Sequence, residues 1–150
     1  MTSSSLPPLL RDQRKVDADH LRLLAIFHFV LAGLGILGLG FLFLHWLFLH
    51  TFLGNPEMWK DAKGGPPPRE IFAIFKWFYL FAAGMIIGLG LIHVASGWCI
   101  LKRRARTFSL VVAGVSCFGF PFGTVLGVFT LVVLLRESVA ELYRAKGPGA

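Results

Sequence analysis

Three long apolar runs, separated by short polar segments, dominate this chain of 150 residues. They cover residues 23–53, 71–101 and 107–135, and nearly all charged residues lie between or outside them. Each run is longer than the ~18 apolar residues that indicate a membrane span. The pattern therefore predicts an all-α integral membrane protein.

The first run is too long for a single membrane crossing. As a helix it would measure about 46 Å, against a hydrocarbon core of about 30 Å. We expect the lipid-embedded part at residues 23–44, with His45 and His50 at the outer interface. Residues 1–20 are polar. They are predicted to be a cytoplasmic tail, with Asp17 or Asp19 as the N-cap of the first helix.

The second run contains one Lys or Arg residue, Lys76, and predicts a span over residues 77–101. A loop rich in Gly and Pro precedes it at residues 54–70 and is expected on the outer side. An inner basic loop follows it at residues 102–106. With the third run, these segments predict a membrane domain over residues 21–138.

The third run is either one kinked span or a hairpin of two short spans, because Gly119–Thr124 breaks it in the middle. Leaving Lys76 aside, one span puts eight Lys and Arg residues on one side of the membrane and six on the other. A hairpin puts eleven inside and three outside. Cytoplasmic loops collect basic residues, so we expect four transmembrane helices, with the last two as a short hairpin and both termini cytoplasmic.

Composition excludes several classes of protein. Hydrophobic residues make up 55% of the chain and charged residues 15%, whereas soluble domains carry about 25% charged residues. A soluble enzyme domain and a disulfide scaffold therefore do not fit. A net charge of +7 on a water-exposed surface would indicate a nucleic-acid partner. Inside this pattern the basic loop is instead expected to fix topology and attract anionic lipid headgroups through Lys102, Arg103, Arg104 and Arg106.

Glycine residues mark candidate helix contacts within the predicted spans. Gly84 and Gly88 are four residues apart, as are Gly123 and Gly127, and Gly119 continues the second row. Small residues at this spacing let helix backbones approach closely in lipid. The rows are expected to pack within the bundle or against a second copy or another membrane subunit.

Histidine is the residue type through which a cofactor could bind. Counting inward from the basic boundaries, His28 lies about 9 Å deep and His93 about 13 Å deep, so on antiparallel helices they share a layer. Two facing imidazoles suit a b-type haem, and one suits the magnesium of a chlorophyll or bacteriochlorophyll. The simpler interpretation is that each ring hydrogen-bonds to a neighbouring helix. The spacing of His45 and His50 does not put them on one helix face, and no metal site is predicted.

Neither a catalytic triad nor a phosphate-binding glycine loop is present, and no Asp or Glu lies inside a predicted span. An enzyme is therefore not expected, and an ion-coupled carrier is disfavoured. After the last span, Val139, Leu142 and Tyr143 share one helix face. Residues 139–150 are accordingly predicted to be an amphipathic tail on the membrane surface or on a partner.

The segments Phe120–Leu135 and His20–His28 resemble a loose group of small bacterial inner-membrane proteins with four spans. In that group a Phe-Pro-x-Gly-Thr sequence forms the last hairpin, which here corresponds to Phe120–Thr124. The resemblance implies a bacterial inner-membrane location but no activity, so it carries over no catalytic residue.

These observations favour a non-catalytic accessory or scaffold subunit of a larger bacterial inner-membrane complex. Its partners would be other membrane subunits and lipids, with a homo-oligomer also possible and no nucleic acid. One alternative is a subunit that binds haem or (bacterio)chlorophyll through His28 and His93. A second is an oligomeric channel or a lipid-handling protein, which the glycine rows and the broken third run suggest.

Overall fold

The chain is helical throughout the part that the computed structural model describes, which is residues 8–60, 64–65 and 68–145. Five α-helices follow one another: α1 (Pro8–Leu53), α2 (Arg69–Lys102), α3 (Arg106–Ser116), α4 (Phe122–Leu134) and α5 (Glu137–Arg144). A short 3₁₀ helix, Pro56–Trp59, lies between α1 and α2. The all-α prediction is confirmed for these residues.

The helices α1 and α2 are long and apolar enough to cross a membrane. Their 46 and 34 residues correspond to about 69 Å and 51 Å of helix, well beyond the ~30 Å of a hydrocarbon core. Only 22% and 11% of their most apolar windows are buried inside the molecule, unlike the core helix of a soluble domain. The expectation of membrane-spanning helices in the first two runs is confirmed to this extent.

The third apolar run forms two helices with a turn where the sequence predicts a break. In the turn, Gly119 N–H donates to the carbonyl of Ser116 at 2.9 Å, and the Thr124 hydroxyl donates to the carbonyl of Cys117 at 2.7 Å. The prediction of four complete spans is not confirmed. At 11 and 13 residues, α3 and α4 reach only about 16 Å and 20 Å, which is short of the hydrocarbon core.

The polar amino-terminal segment is helical from Pro8 onward. The first helix already begins at Pro8, so neither Asp17 nor Asp19 is its N-cap. Between Asp17 and Ala32 one helix face is buried, with Asp17 and Leu24 both fully covered. This segment is folded because a packed face and an ion pair to Arg136 hold it, as described below, whereas composition alone suggests exposure.

By its contacts the chain divides into two units, and α1 and α2 each contribute to both. The first, which we call the packed unit, comprises Met1–Ala32 and Leu91–Ala150. Its hydrophobic core draws on α1, α2, α4 and α5 and contains Leu21, Leu24, Ala25, Ile100, Leu126, Val133, Leu134, Val139 and Tyr143. The helix α5 is amphipathic as predicted, but its apolar face is buried within this unit.

The second unit, Gly33–Gly90, contains the carboxyl-terminal part of α1, the amino-terminal part of α2 and the connection between them. We call it the two-helix unit. Tyr79 is its only buried hydrophobic residue within the described part of the chain. In the connection, Asn55 accepts a hydrogen bond from the Glu57 N–H, and the Trp59 indole donates to the carbonyl of Leu53 at 3.0 Å.

Candidate functional site

A close approach of α1 and α2 in the packed unit brings the two predicted histidines together. Gly97 makes this approach possible. A Cβ atom there would lie 3.2 Å from the Ala25 carbonyl oxygen and 3.2 Å from the Phe29 ring. His28 lies three residues beyond Ala25, and His93 lies one turn before Gly97. The shared layer predicted by counting inward from the basic boundaries is therefore where the two rings meet.

The two imidazoles form a direct pair. The Nδ1 atoms of His28 and His93 are 3.0 Å apart, and the ring centroids are 5.2 Å apart. His28 is fully buried and His93 is 7% exposed. One ring must donate its N–H and the other must accept on a bare nitrogen, so the accepting ring is neutral. The pair therefore matches the simpler interpretation, in which each histidine satisfies a partner on the neighbouring helix.

This geometry limits how a cofactor could bind. Two nitrogen ligands on opposite sides of a metal ion stand about 4 Å apart, at ~2 Å each, and a haem would need its ring between them. The observed Nδ1 separation is a hydrogen bond and does not admit a macrocycle between the rings. The Nε2 atom of His28 is buried with no hydrogen-bond partner in the described part of the chain. It is the ring nitrogen of His28 that the contact with His93 leaves unused.

Further polar groups are buried in the packed unit. The hydroxyls of Ser96, Ser109 and Thr130 come from α2, α3 and α4, and none has a hydrogen-bond partner among the described residues. Sequence analysis missed them because isolated Ser and Thr residues are common in apolar helices and carry no spacing signal. Together with the histidine pair, they give this unit a polar interior.

An ion pair joins the amino-terminal part of α1 to the junction of α4 and α5. The Asp17 carboxylate, whose side chain is fully buried, lies 3.6 Å from the Arg136 guanidinium. Gln13 donates a hydrogen bond to the same Asp17 oxygen at 3.3 Å. This contact was also missed, since the two residues are far apart in sequence and each fits a solvated polar segment.

The basic residues of the inner loop have distinct surroundings. Lys102 ends α2 and lies 5.1 Å above the Trp98 ring, and the Arg106 guanidinium donates to the carbonyl of Leu134 at 2.8 Å. That bond satisfies a carbonyl at the carboxyl end of α4. Arg103 and Ala105 adopt left-handed backbone conformations with φ of 51° and 47°, and Arg104 lies exposed between them. A role of these residues toward lipid headgroups stays a prediction.

The two glycine rows have opposite surroundings. A Cβ atom on Gly127 would lie 2.5 Å from the Ala113 carbonyl oxygen, and one on Gly123 would lie 2.6 Å from the Ser116 oxygen. Gly119 is also tightly surrounded, at 3.2 Å from the Ser116 oxygen. This row packs α4 onto α3. Gly84 and Gly88 have no such neighbour, since nothing lies within 4 Å of a Cβ at either position.

The described residues hold no group of three or more His, Cys, Asp or Glu side chains that could bind a metal ion. Comparison with known proteins gives no match to a protein-family model, a curated protein or a solved structure.

Proposed function

We propose that this protein is a non-catalytic accessory subunit of a bacterial inner-membrane complex, which binds a neighbouring transmembrane helix through one face of α2. The observation that carries the proposal is the open glycine row, Gly84 and Gly88, which no part of the described chain covers. The other row at the same spacing is fully used by contacts within the chain. A second helix that packs on Gly84 and Gly88 would gain the close backbone approach that favours association in lipid.

The residues around the open row support this assignment. Trp77 and Phe81 extend the same face of α2 by two turns, and both are 70% exposed. The two glycines leave a depression on this face, which we call the notch, and the aromatic side chains project next to it. A partner helix could place its backbone in the notch and pack its side chains against the aromatic rings. That partner is another subunit or a second copy of this chain.

The proposed topology puts both termini in the cytoplasm, with α1 and α2 as the spans. The short α3–α4 hairpin would enter the membrane from the cytoplasmic side and turn back inside it. Phe118, Phe120 and Phe122 at its tip are 91%, 88% and 70% exposed, which suits contact with lipid chains. This arrangement keeps the eleven-to-three distribution of basic residues without requiring two further complete spans.

The proposal is tested by native purification. The full chain, tagged and extracted in mild detergent, is analysed for size on native gels and for bound proteins by mass spectrometry. We expect the wild type in an assembly larger than the monomer and the double variant G84L/G88L as a monomer. Leucine keeps the helix apolar but fills the notch.

The matched control is Gly114→Leu on α3, a glycine that also has nothing within 4 Å of its Cβ position. It should leave the assembly intact. A wild type that purifies alone as a monodisperse monomer, or a G84L/G88L variant that keeps its partners, overturns the proposal.

A second candidate function is a subunit that holds a haem or (bacterio)chlorophyll on one axial ligand. The observation that favours it is the buried, unpartnered Nε2 atom of His28. An absorption spectrum of the same purified sample tests it, with His28→Gln as the variant and His50→Gln as the control. Absence of a Soret or red band, or a band that His28→Gln leaves unchanged, removes this candidate.

A further inference from the structure

The two-helix unit contains a groove of about 690 Å³ between α1 and α2. Its walls run from Leu39 to Leu53 on α1 and from Phe72 to Ala83 on α2, and nearly all lining side chains are aliphatic or aromatic. The volume lies in the range of ligand pockets, ~300–1,000 Å³. We call this cavity the α1–α2 groove.

The groove is open because the two helices make few tight contacts at this level. They are joined by one strong polar contact, in which the Tyr79 hydroxyl and His45 Nδ1 are 2.6 Å apart. Tyr79 is the only buried hydrophobic residue of this unit within the described chain. The remaining facing side chains leave a slot that apolar chains can enter.

Polar groups are confined to one part of the groove. Lys76 and His50 line it from opposite helices, with Trp46 and Tyr79 nearby, whereas Leu39 and Ala83 mark the apolar end. From His50 to Leu39 the helix advances about 16 Å, close to half of a 30 Å hydrocarbon core. The groove therefore matches a lipid molecule in one leaflet, because it is polar at one end, apolar at the other and about as long as half of the hydrocarbon core.

The charge in the groove is positive and unbalanced. No Asp or Glu lines it. Among the described residues Lys76 takes part in no ion pair. A lysine among apolar side chains is stabilised by a ligand that carries both a negative charge and an apolar group.

We propose that the α1–α2 groove binds an anionic phospholipid. The phosphate accepts hydrogen bonds from the Lys76 ammonium and a His50 ring N–H, and one acyl chain lies between the helices toward Leu39 and Ala83. The site is separate from the Gly84 and Gly88 face, so it does not depend on the proposed assembly.

Trp46 lines the groove and serves as the reporter. The full chain, with Trp59, Trp77 and Trp98 replaced by Phe, is reconstituted into vesicles that contain phosphatidylglycerol or phosphatidylcholine with brominated chains, which quench tryptophan. The ratio of quenching by the two lipids gives the relative affinity for the anionic headgroup. We expect the wild-type groove to prefer phosphatidylglycerol.

Lys76→Gln should reduce this preference by about fivefold, which corresponds to ~1 kcal/mol for one lysine near a charged surface. The control Lys60→Gln removes a lysine that lies outside the groove and should leave the ratio unchanged. Ala83→Phe fills the apolar end and should lower quenching by both lipids.

Equal quenching of the wild type by the two lipids, or an unchanged preference in Lys76→Gln, overturns the proposal. Unchanged quenching in Ala83→Phe overturns the placement of the acyl chain. The G84L/G88L variant should keep the lipid preference even where it loses its partners, so the lipid site and the proposed assembly can fail separately.

Discussion

Glycine and polar residues have different surroundings in the packed unit and in the two-helix unit. In the packed unit, Gly97, Gly123 and Gly127 lie where a neighbouring backbone or ring leaves no room for a Cβ. In the two-helix unit, six helical glycines have nothing within 4 Å of a Cβ: Gly33, Gly38, Gly40, Gly84, Gly88 and Gly90. These three glycines close helix contacts in the first unit, where Gly114 is the open exception, whereas most helical glycines of the second unit leave the helix surface free.

The polar residues show the same division. Inside the packed unit, His28 contacts His93 and the buried Asp17 pairs with Arg136. In the two-helix unit, Lys76 and His50 face a groove. The packed unit is thus stabilised by its own contacts, whereas the two-helix unit has the surfaces that we propose to bind lipid and another helix. The experiments below separate these two roles, beginning with the largest expected effect.

Gly127→Ala should damage the packed unit severely. The added methyl group would lie 2.5 Å from the Ala113 oxygen and 2.9 Å from the Cys117 nitrogen, both backbone atoms that cannot move aside cheaply. We expect a loss of about 3 kcal/mol in the free energy of unfolding, the upper end for overpacked contacts. Thermal unfolding in detergent, followed by size-exclusion recovery, measures it.

Gly88→Ala is the matched variant in the two-helix unit and should keep or slightly raise the stability of the isolated chain, since its Cβ position is open and alanine favours a helix more than glycine does. If both alanine variants unfold at the same temperature, the contrast between the two glycine rows is wrong.

Asp17→Ala should give the next largest effect. It leaves Arg136 without its carboxylate and Gln13 without its acceptor. Breaking a fully buried ion pair costs about 3–5 kcal/mol, but the Arg136 side chain is 38% exposed and water screens it, so we expect ~1–2 kcal/mol. Chemical unfolding in detergent measures the loss. Asp19→Ala is the control two residues along α1, where the carboxylate is exposed, and an equal effect of the two variants would contradict a specific role for Asp17.

The sequence does not reveal most of the difference between the packed unit and the two-helix unit. The apolar runs predict the helices, the Gly119–Thr124 segment predicts the break, and depth counting predicts the meeting of His28 and His93. The two glycine rows look identical in sequence because spacing does not say which helix, if any, covers them. The position of Lys76 near the start of the second apolar run is typical of a residue at the membrane interface. The sequence does not show that side chains of α1 lie opposite it and complete a groove.

Tyr79→Phe tests the single polar contact that joins the helices of the two-helix unit. It removes the hydroxyl that contacts His45 Nδ1 at 2.6 Å but keeps the ring. Hydrogen bonds between membrane helices contribute about 0.6 kcal/mol on average, and we expect a loss of that size. Unfolding of the detergent-solubilised chain measures it. A loss as large as that of Gly127→Ala would mean that this unit is held together as firmly as the packed unit.

Tyr143→Phe should give the smallest effect near neutral pH and one of opposite sign. The Tyr143 hydroxyl is buried without a hydrogen-bond partner among the described residues, so its removal should be neutral or stabilise the packed unit slightly. Burial raises the pKa of Tyr143 to about 12, from 10.0 in the unfolded chain. The folded state therefore keeps its proton above pH 10 while the unfolded state loses it, and wild-type stability falls as the pH rises toward 12. The stability difference between Tyr143→Phe and wild type should stay constant up to about pH 10 and then grow in favour of the variant. A difference that stays flat to pH 12 would place Tyr143 in contact with water, and the packed unit would then be more open than its buried core indicates.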